Sequence, residues 1–526
     1  MWLRTRRYRI GGVGLAGVLG VAGCSQRPES GLPVSVPPVV IDGDFSEWTE
    51  ARVAVPAASA GGTGSIDVRE VRAGADGEAA FLLLDLGRTV NLQVLEVPAR
   101  LVLDVDGDGS TGALTDGVPG ADLVVVFSPA AAGGRPGQGI LLERPSGGSA
   151  GTAYDIGLIF GPTYASARFE MRIDRAAAAA FAGVPIADRW RARWIADGRD
   201  GSLHATETFE LVMPASSSVE RGYVGDPLAR SEGADVRVVA WNVADDGVLT
   251  RPGAFARVLR ALDPDVLLLD ELPGAIDDAG LDAFLRLLDG PWRSVLGSGG
   301  GRQRSAVASR LPLEPAPSLA RIDYPDSVGV LAPLAQMAQT RRDLATASDD
   351  GISAAGAFVS FGGRRLLFVA LDLACCGSAF DAEDRLRRIQ ASAIRDAAGR
   401  AVDGGGVDGV VVGGDFNLVG SRTPLEIVAA GLDPVGNALV PVFALQLDGQ
   451  TATTWRAPGP FPAGRLDWIL YSSSTLEPVR AFAFEVADLD PVWRDRYDLR
   501  VELERTSDHL PVVVDLRTGH APPQAR

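Results

Sequence analysis

The 526-residue chain contains no lysine; all 50 of its basic residues are arginine. Schiff-base catalysis and a Walker-type phosphate-binding lysine are therefore excluded. Histidine is nearly as scarce, limited to His204, His509 and His520. Cysteine occurs only at positions 24, 375 and 376, with no spacing that suits a zinc site. Adjacent Cys375 and Cys376 either form a vicinal disulfide in an oxidising compartment or remain thiols. Positive charge is also in deficit. The formal net charge is -17, and removing the first 23 residues, with four arginines and no acid, gives -17 - 4 = -21. A protein that grips polyanions through a basic footprint has the opposite balance. A bound cation would offset the repulsion locally, so the acidity opposes tight nucleic-acid binding and leaves phosphoester hydrolysis open.

At the N-terminus, Arg4, Arg6, Arg7 and Arg9 precede a Gly-rich apolar stretch from Ile10 to Ala22, ending in Val21-Ala22-Gly23-Cys24. Basic, then apolar, then small residues is the pattern of an export signal, and this stretch is too short to span a bilayer comfortably. The cysteine after small residues resembles a bacterial lipobox, which implies cleavage at 1–23 and lipid attachment at Cys24. An ordinary cleaved signal with an incidental cysteine is the alternative. Ser25 in place of aspartate, by resemblance to other lipoproteins, points to the outer membrane or cell surface. Residues 24–37 read as a tether.

Residues 38–214 carry short alternating strands: Ala80 to Leu86, Leu101 to Val105, Leu123 to Phe127, Phe169 to Ile173 and Thr208 to Val212. Gly, Asp and Ser turns separate them, and Arg175 to Ala182 alone looks helical, the pattern of an all-β sandwich. The stretches Ile41-Asp42-Gly43-Asp44-Phe45-Ser46-Glu47-Trp48 and Leu103-Asp104-Val105-Asp106-Gly107-Asp108-Gly109 resemble the family 9 carbohydrate-binding module. Polysaccharide binding and a ligand-free spacer role are both open. Asp104, Asp106 and Asp108 at alternate positions look like a calcium loop, without the twelfth-position acid of an EF-hand.

After a serine-containing linker at 215–233, strands alternate with helices. Val236 to Val243, Val266 to Leu269, Val410 to Val412, Leu466 to Leu470 and Leu510 to Val514 are strands, and Pro252 to Leu262 is a helix. Asp381 to Val402 forms the best helix, with Leu386, Ile389, Ala393 and Ala397 on one stripe. Small acid, amide or imidazole groups follow the apolar runs at Trp241-Asn242-Val243, Leu269-Asp270-Glu271, Gly414-Asp415-Phe416-Asn417, Gly464-Arg465-Leu466-Asp467-Trp468 and Ser507-Asp508-His509-Leu510-Pro511. Such convergence, with no cysteine or serine nucleophile, suggests metal-assisted attack by water.

The order of these five motifs resembles the endonuclease/exonuclease/phosphatase superfamily. That resemblance implies a deoxyribonuclease-like α/β four-layer sandwich over 234–518, with 519–526 a loose tail. It also implies Glu271 as principal ligand of magnesium or manganese, Asn242 assisting, and Asp508 close to the metal. His509 would be the catalytic histidine with Asp467 as its carboxylate partner. Asp415 would orient or deprotonate the water, and Asn417 would donate hydrogen bonds to the transition state. Where many members carry a second histidine in an Asn-x-His-Leu pattern, this chain has Asp372 within Ala370-Leu371-Asp372-Leu373. It could serve as general acid, bind a second cation, or mark an impaired site. Asp270 stands where relatives often have glutamine. Arg310, ending a strand, is a candidate phosphate contact or a surface ion pair.

The resulting expectation is an exported, lipid-anchored, metal-dependent phosphoesterase acting on nucleic acid, phospholipid or a small organic phosphate, with a lean toward phosphodiesters. Its membrane contact would be the lipid anchor alone. The competing expectation is a non-catalytic surface-binding lipoprotein with an impaired phosphoesterase domain.

Overall fold

The computed structural model describes residues 39–48, 53–56 (backbone only), 68–130, 137–197, 203–214, 223, 225–501 and 506–519. Cys24, the signal, the tether, residues 215–222 and 224 of the linker, and His520 lie outside the described residues. No helix among the described residues is long and apolar enough to cross a membrane.

The N-terminal half folds as two facing antiparallel sheets. One has five strands, centred on Ala79–Val90 between Glu70–Ala75 and Ser166–Asp174. The other has seven strands around Ala99–Asp104, which pairs with Leu123–Phe127 and Arg189–Asp197. Alternate residues, among them Leu82, Leu84, Leu101, Leu103, Val125 and Trp194, interdigitate in one core, as period-two side chains of two packed sheets must. The helix occupies Arg175–Ala182, started by the Asp174 carboxylate, which accepts from the Ala177 amide, and ended by Gly183.

The C-terminal half contains two mixed sheets packed face to face. We label its strands β1 (Val236–Asn242), β2 (Val266–Pro273), β3 (Gln303–Ser309), β4 (Ala354–Phe361), β5 (Arg364–Asp372), β6 (Gly409–Asp415), β7 (Asp467–Tyr471), β8 (Leu476–Ala483) and β9 (Val512–Thr518). The first sheet runs β3-β2-β1-β9-β8 and the second β4-β5-β6-β7, each extended by short edge strands. Val238, Ala240 and Leu268 meet Phe368, Ala370, Val411 and Ile469 between the sheets. The intervening residues Val239 and Trp241 face outward against Phe255 and Leu259 of the helix Pro252–Leu262. The long helix Ala382–Asp403 covers the second sheet. Its buried apolar positions are Leu386, Ala391, Ile394, Ala397, Ala398 and Ala401, whereas Ile389 and Ala393, expected on that stripe, are only half-buried.

Arg237 on β1 and Asp515 on β9 form a buried ion pair, with Nε–Oδ1 at 2.6 Å and Nη2–Oδ2 at 2.8 Å. The guanidinium also donates to the carbonyls of Leu228, Ala229 and Leu262, fixing the end of the linker on the domain. Burial alone would raise the Asp515 pKa, but the contacts with Arg237 and Ser231 hold it below the usual carboxylate value. Because the folded value is depressed, this contribution is present above the unfolded carboxylate pKa and disappears as pH falls through the folded one. Asp515→Asn should cost about 3–5 kcal/mol of unfolding free energy near neutral pH, because it leaves a buried guanidinium uncompensated. Urea titration at pH 7 and in acid checks this, and the difference between the two proteins should shrink in acid.

Candidate active site

All the strands that deliver chemistry end on one side of the paired sheets. Parallel pairing of β1 with β2 sets Asn242 beside Asp270. Pairing of β5, β6 and β7 aligns Asp372 with Asp415 and Asp415 with Asp467, so three carboxylates stand in a row across three strand ends. Gly414 permits this alignment. Its φ is +138°, and a Cβ there would lie 2.0 Å from the Leu371 carbonyl oxygen. On β2 the register with β3 shifts between Leu269 and Leu272, and Glu271 adopts φ +50°. The bulge re-aims Glu271 toward the row from the other sheet.

His509 completes the group. Its Nδ1 lies 2.8 Å from Asp467 Oδ2, and its Nε2 3.7 Å from Asp415 Oδ2. The backbone around it is pinned, since the His509 carbonyl accepts from Trp241 Nε1 and its amide donates to Ser507 Oγ. Burial opposes a charge on the imidazole, but Asp467 and Asp415 outweigh it and hold the His509 pKa well above the ordinary value. The carboxylates shift too. Asp415 is pushed up to about 7, by burial first and by Asp467 and Glu271 against the opposing effect of His509. Burial and neighbouring negative charge also raise Asp270, Glu271 and Asp372.

Such crowding fits a hard cation. Ligand atoms of Glu271, Asp372 and Asp415 lie within 4.8 Å of one another, as do those of Asp415, Asp467 and His509. Asp270 Oδ1 and Asp467 Oδ1 are buried and accept no hydrogen bond. The all-oxygen group of Glu271, Asp372 and Asp415 suits a hard divalent cation more than a softer metal.

Residues 239–509, just over half of the chain, match the endonuclease/exonuclease/phosphatase family. The chain belongs to this family. No curated protein matches it in sequence. Among solved structures, it is similar to the human Nocturnin catalytic domain with bound sulfate anion, at 18% identity and TM-score 0.34 over 55% of this chain and 97% of that one. Truncated TDP2 from Caenorhabditis elegans gives 18%, 0.36, 54% and 98% in the same order. The endonuclease/exonuclease/phosphatase from Bacteroides vulgatus gives 13%, 0.35, 54% and 99%.

Within this family domain the structure brings Asn242, Glu271, Asp372, Asp415, Asn417, Asp467, Asp508 and His509 to one cleft, with Asp508 at its exposed rim. Asn417 differs from expectation in its commitments. Its Nδ2 donates to the Leu373 carbonyl at 2.9 Å and to Asp415 Oδ2 at 2.9 Å, so it holds Asp415 instead of pointing a free donor at substrate. Of the two readings of Arg310, the structure shows the ion pair and corrects the phosphate contact. Arg310 pairs with Asp263 at 2.7 Å and Asp265 at 2.9 Å, beside the start of β2 and at the opposite end from Glu271. β3 runs antiparallel to β2, so its C-terminal residue emerges on the far side.

Sequence reasoning missed Arg302, an exposed guanidinium that lines the cavity with Glu271 and Asp372. It missed Trp455 as well, whose Nε1 donates to Asp508 Oδ2 at 3.0 Å. Cys375 and Cys376 are joined as a vicinal disulfide that borders the cleft, and buried Arg387 donates to the carbonyls of Ala374 and Cys376. Among the described residues of the β-sandwich, two carboxylate groups could hold a cation: Asp104 with Asp106 and Asp122, and Asp42 with Glu47 and Glu170. Asp108 accepts from Ser110, and Asp122 takes the place expected of it beside Asp104 and Asp106.

The imidazole is directly observable because the chain has three histidines. In EDTA-treated protein, one of the three imidazole Cε1 proton signals should titrate well above the ordinary histidine range. Asp467→Asn should bring that value down by removing the charge on Nδ1. Absence of a high-titrating signal would contradict the Asp467–His509 arrangement.

Proposed function

We infer that the chain is an exported, lipid-anchored, divalent-metal-dependent phosphoesterase that cleaves phosphodiesters by attack of water at phosphorus. The observation that carries this reading is the meeting of the Asp467–His509 pair, Asp415 and Glu271 in a single cleft of an endonuclease/exonuclease/phosphatase domain. Export and lipidation at Cys24 rest on the N-terminal pattern of arginines, apolar residues and Val21-Ala22-Gly23-Cys24.

In the proposed mechanism, Asp415 takes a proton from the attacking water. A group titrating near 7 is well matched to that task at neutral pH. The water oxygen bonds to phosphorus as the ester P–O bond breaks, giving a phosphomonoester and an alcohol. Asp372, whose carboxyl burial and its acidic neighbours raise above the usual carboxylate range, would return a proton to the leaving oxygen. His509, charged and oriented by Asp467, faces the charge that develops on the phosphoryl oxygens. Asn417 fixes the Asp415 carboxylate. Glu271 and Asn242, with Asp508 at the rim, would hold magnesium or manganese. Such an ion, when bound, neutralises the phosphate and the crowded carboxylates.

Hydrolysis of bis-p-nitrophenyl phosphate with magnesium or manganese should be abolished by EDTA. His509→Ala should lower kcat by roughly 10²- to 10⁴-fold. Glu271→Gln should weaken the binding of manganese in calorimetry, a readout independent of turnover. Absence of both metal binding and turnover in the unmodified protein would favour a surface-binding role instead.

A further inference from the structure

The β-sandwich does not stand apart from the catalytic domain. The two are joined by hydrogen bonds that converge on two loops of the site. The loop that follows Asn417 receives Asn91 Nδ2 at the Val419 carbonyl (2.7 Å), Thr163 Oγ1 at Leu418 (2.8 Å) and the Ala165 amide at Gly420 (2.8 Å). The loop bearing Trp455 and Phe461 receives the Ile140 amide at the Pro460 carbonyl (2.6 Å), while Ile41 exchanges backbone bonds with Gln450 and Ala452. Gly139 and Gly464 mark how closely the surfaces approach. A Cβ on Gly139 would sit 2.7 Å from the Pro460 oxygen, and one on Gly464 2.2 Å from Thr163 Cγ2.

The consequence is a cavity of about 250 Å³ that both halves build. His509, Asp415 and Glu271 form its floor. Val94 and Gln138 of the sandwich line it together with Trp455 and Phe461 of the catalytic domain. A second cavity of about 390 Å³ continues past Glu271, lined by Arg302 and Arg342. Aromatic surface thus comes from Trp455 and Phe461 of the catalytic domain, the sandwich adds Val94 among polar side chains such as Gln138, and the guanidinium groups on the far side stand among carboxylates.

We propose that the β-sandwich is a specificity-determining wall of the active site, which selects a small or terminal phosphodiester bearing an apolar or aromatic ester group and excludes the interior of a nucleic-acid duplex. This rests on the phosphoesterase reading above. The aromatic ester group enters between Val94 and Phe461, and the anionic remainder faces Arg302. A duplex presents each phosphate on a continuous surface of neighbours, which a cavity walled on both sides does not admit. The chain's net charge of -17 opposes a long polyanion further.

The test uses the protein with both halves intact. Val94→Trp and Gln138→Trp would each fill the cavity from the sandwich side, and Gln138 is exposed, so its replacement spares the core. Ile186→Trp, at a 57% exposed position outside the cavity, is the control. The unmodified protein should cleave bis-p-nitrophenyl phosphate far faster per bond than plasmid DNA. Each wall substitution should raise KM for the small diester about tenfold or more, with kcat within about threefold, and the control should do neither. A KM unchanged from that of the unmodified protein in both wall variants, or efficient cutting of the plasmid, would overturn the proposal. Failure of the hydrolase reading is separable by equilibrium dialysis of bis-p-nitrophenyl phosphate against His509→Ala protein. Retention that is lost when Val94→Trp is added supports the wall without turnover. No retention, or retention that the second substitution leaves unchanged, overturns it.

Discussion

The mutual repulsion of carboxylates gathered at one end of two sheets is the constraint around which this structure is arranged. Asp270, Glu271, Asp372, Asp415 and Asp467 share a small volume with one imidazole and two amides. Left alone, such a group would repel itself apart or take up protons; burial first, and neighbouring negative charge after it, raise the pKa values of four of the five carboxylates. Strand pairing withstands it. Each carboxylate sits at or beside the end of a ladder whose register is fixed by a core on both faces, so none can retreat without breaking a strand. Positive-φ backbone occurs among these strand ends, at Gly414 and at the left-handed Glu271.

Charge compensation comes from two sources of unequal strength. His509 contributes one positive charge, already shared between Asp467 and Asp415. The exposed Arg302 contributes a second from the rim. Against five carboxylates this leaves an excess of negative charge, and two buried carboxylate oxygens accept nothing. A divalent cation is the simplest group that satisfies both shortfalls, which is why the donor set itself argues for one.

Much of this was legible in the sequence because it is local. An apolar run of period two followed by a small polar residue announces a strand end. Pro252–Leu262, Leu123–Phe127 and Arg175–Ala182 have the bounds expected for them, and Asp415 and Asn417 line the cleft as anticipated. Strand direction is not local, and it decides between the two readings of Arg310 in favour of the ion pair. A residue past an apolar run reaches the cleft only if its strand runs toward it, and β3 runs away from it. The acidic loop shows the same limit. Spacing grouped Asp104, Asp106 and Asp108, but Gly107, with φ +69°, turns the chain, and Asp122 enters from beside a paired strand.

The interface between the two halves left even less trace in the sequence. Most of its bonds involve a backbone carbonyl or amide, which every sequence supplies, and its close approaches depend on glycines that look like ordinary turn residues. Resemblance to a binding module therefore suggested an independent unit or a spacer. The contacts connect it instead to the segment 418–420, directly after Asn417, whose side chain fixes Asp415. Packing of the sandwich and the placement of the catalytic carboxylate are thus mechanically continuous through three residues of chain. A shift of the sandwich cannot leave that loop where it is without giving up the hydrogen bonds of Asn91, Thr163 and Ala165, so the rigidity needed at Asp415 is supplied partly from outside its own domain.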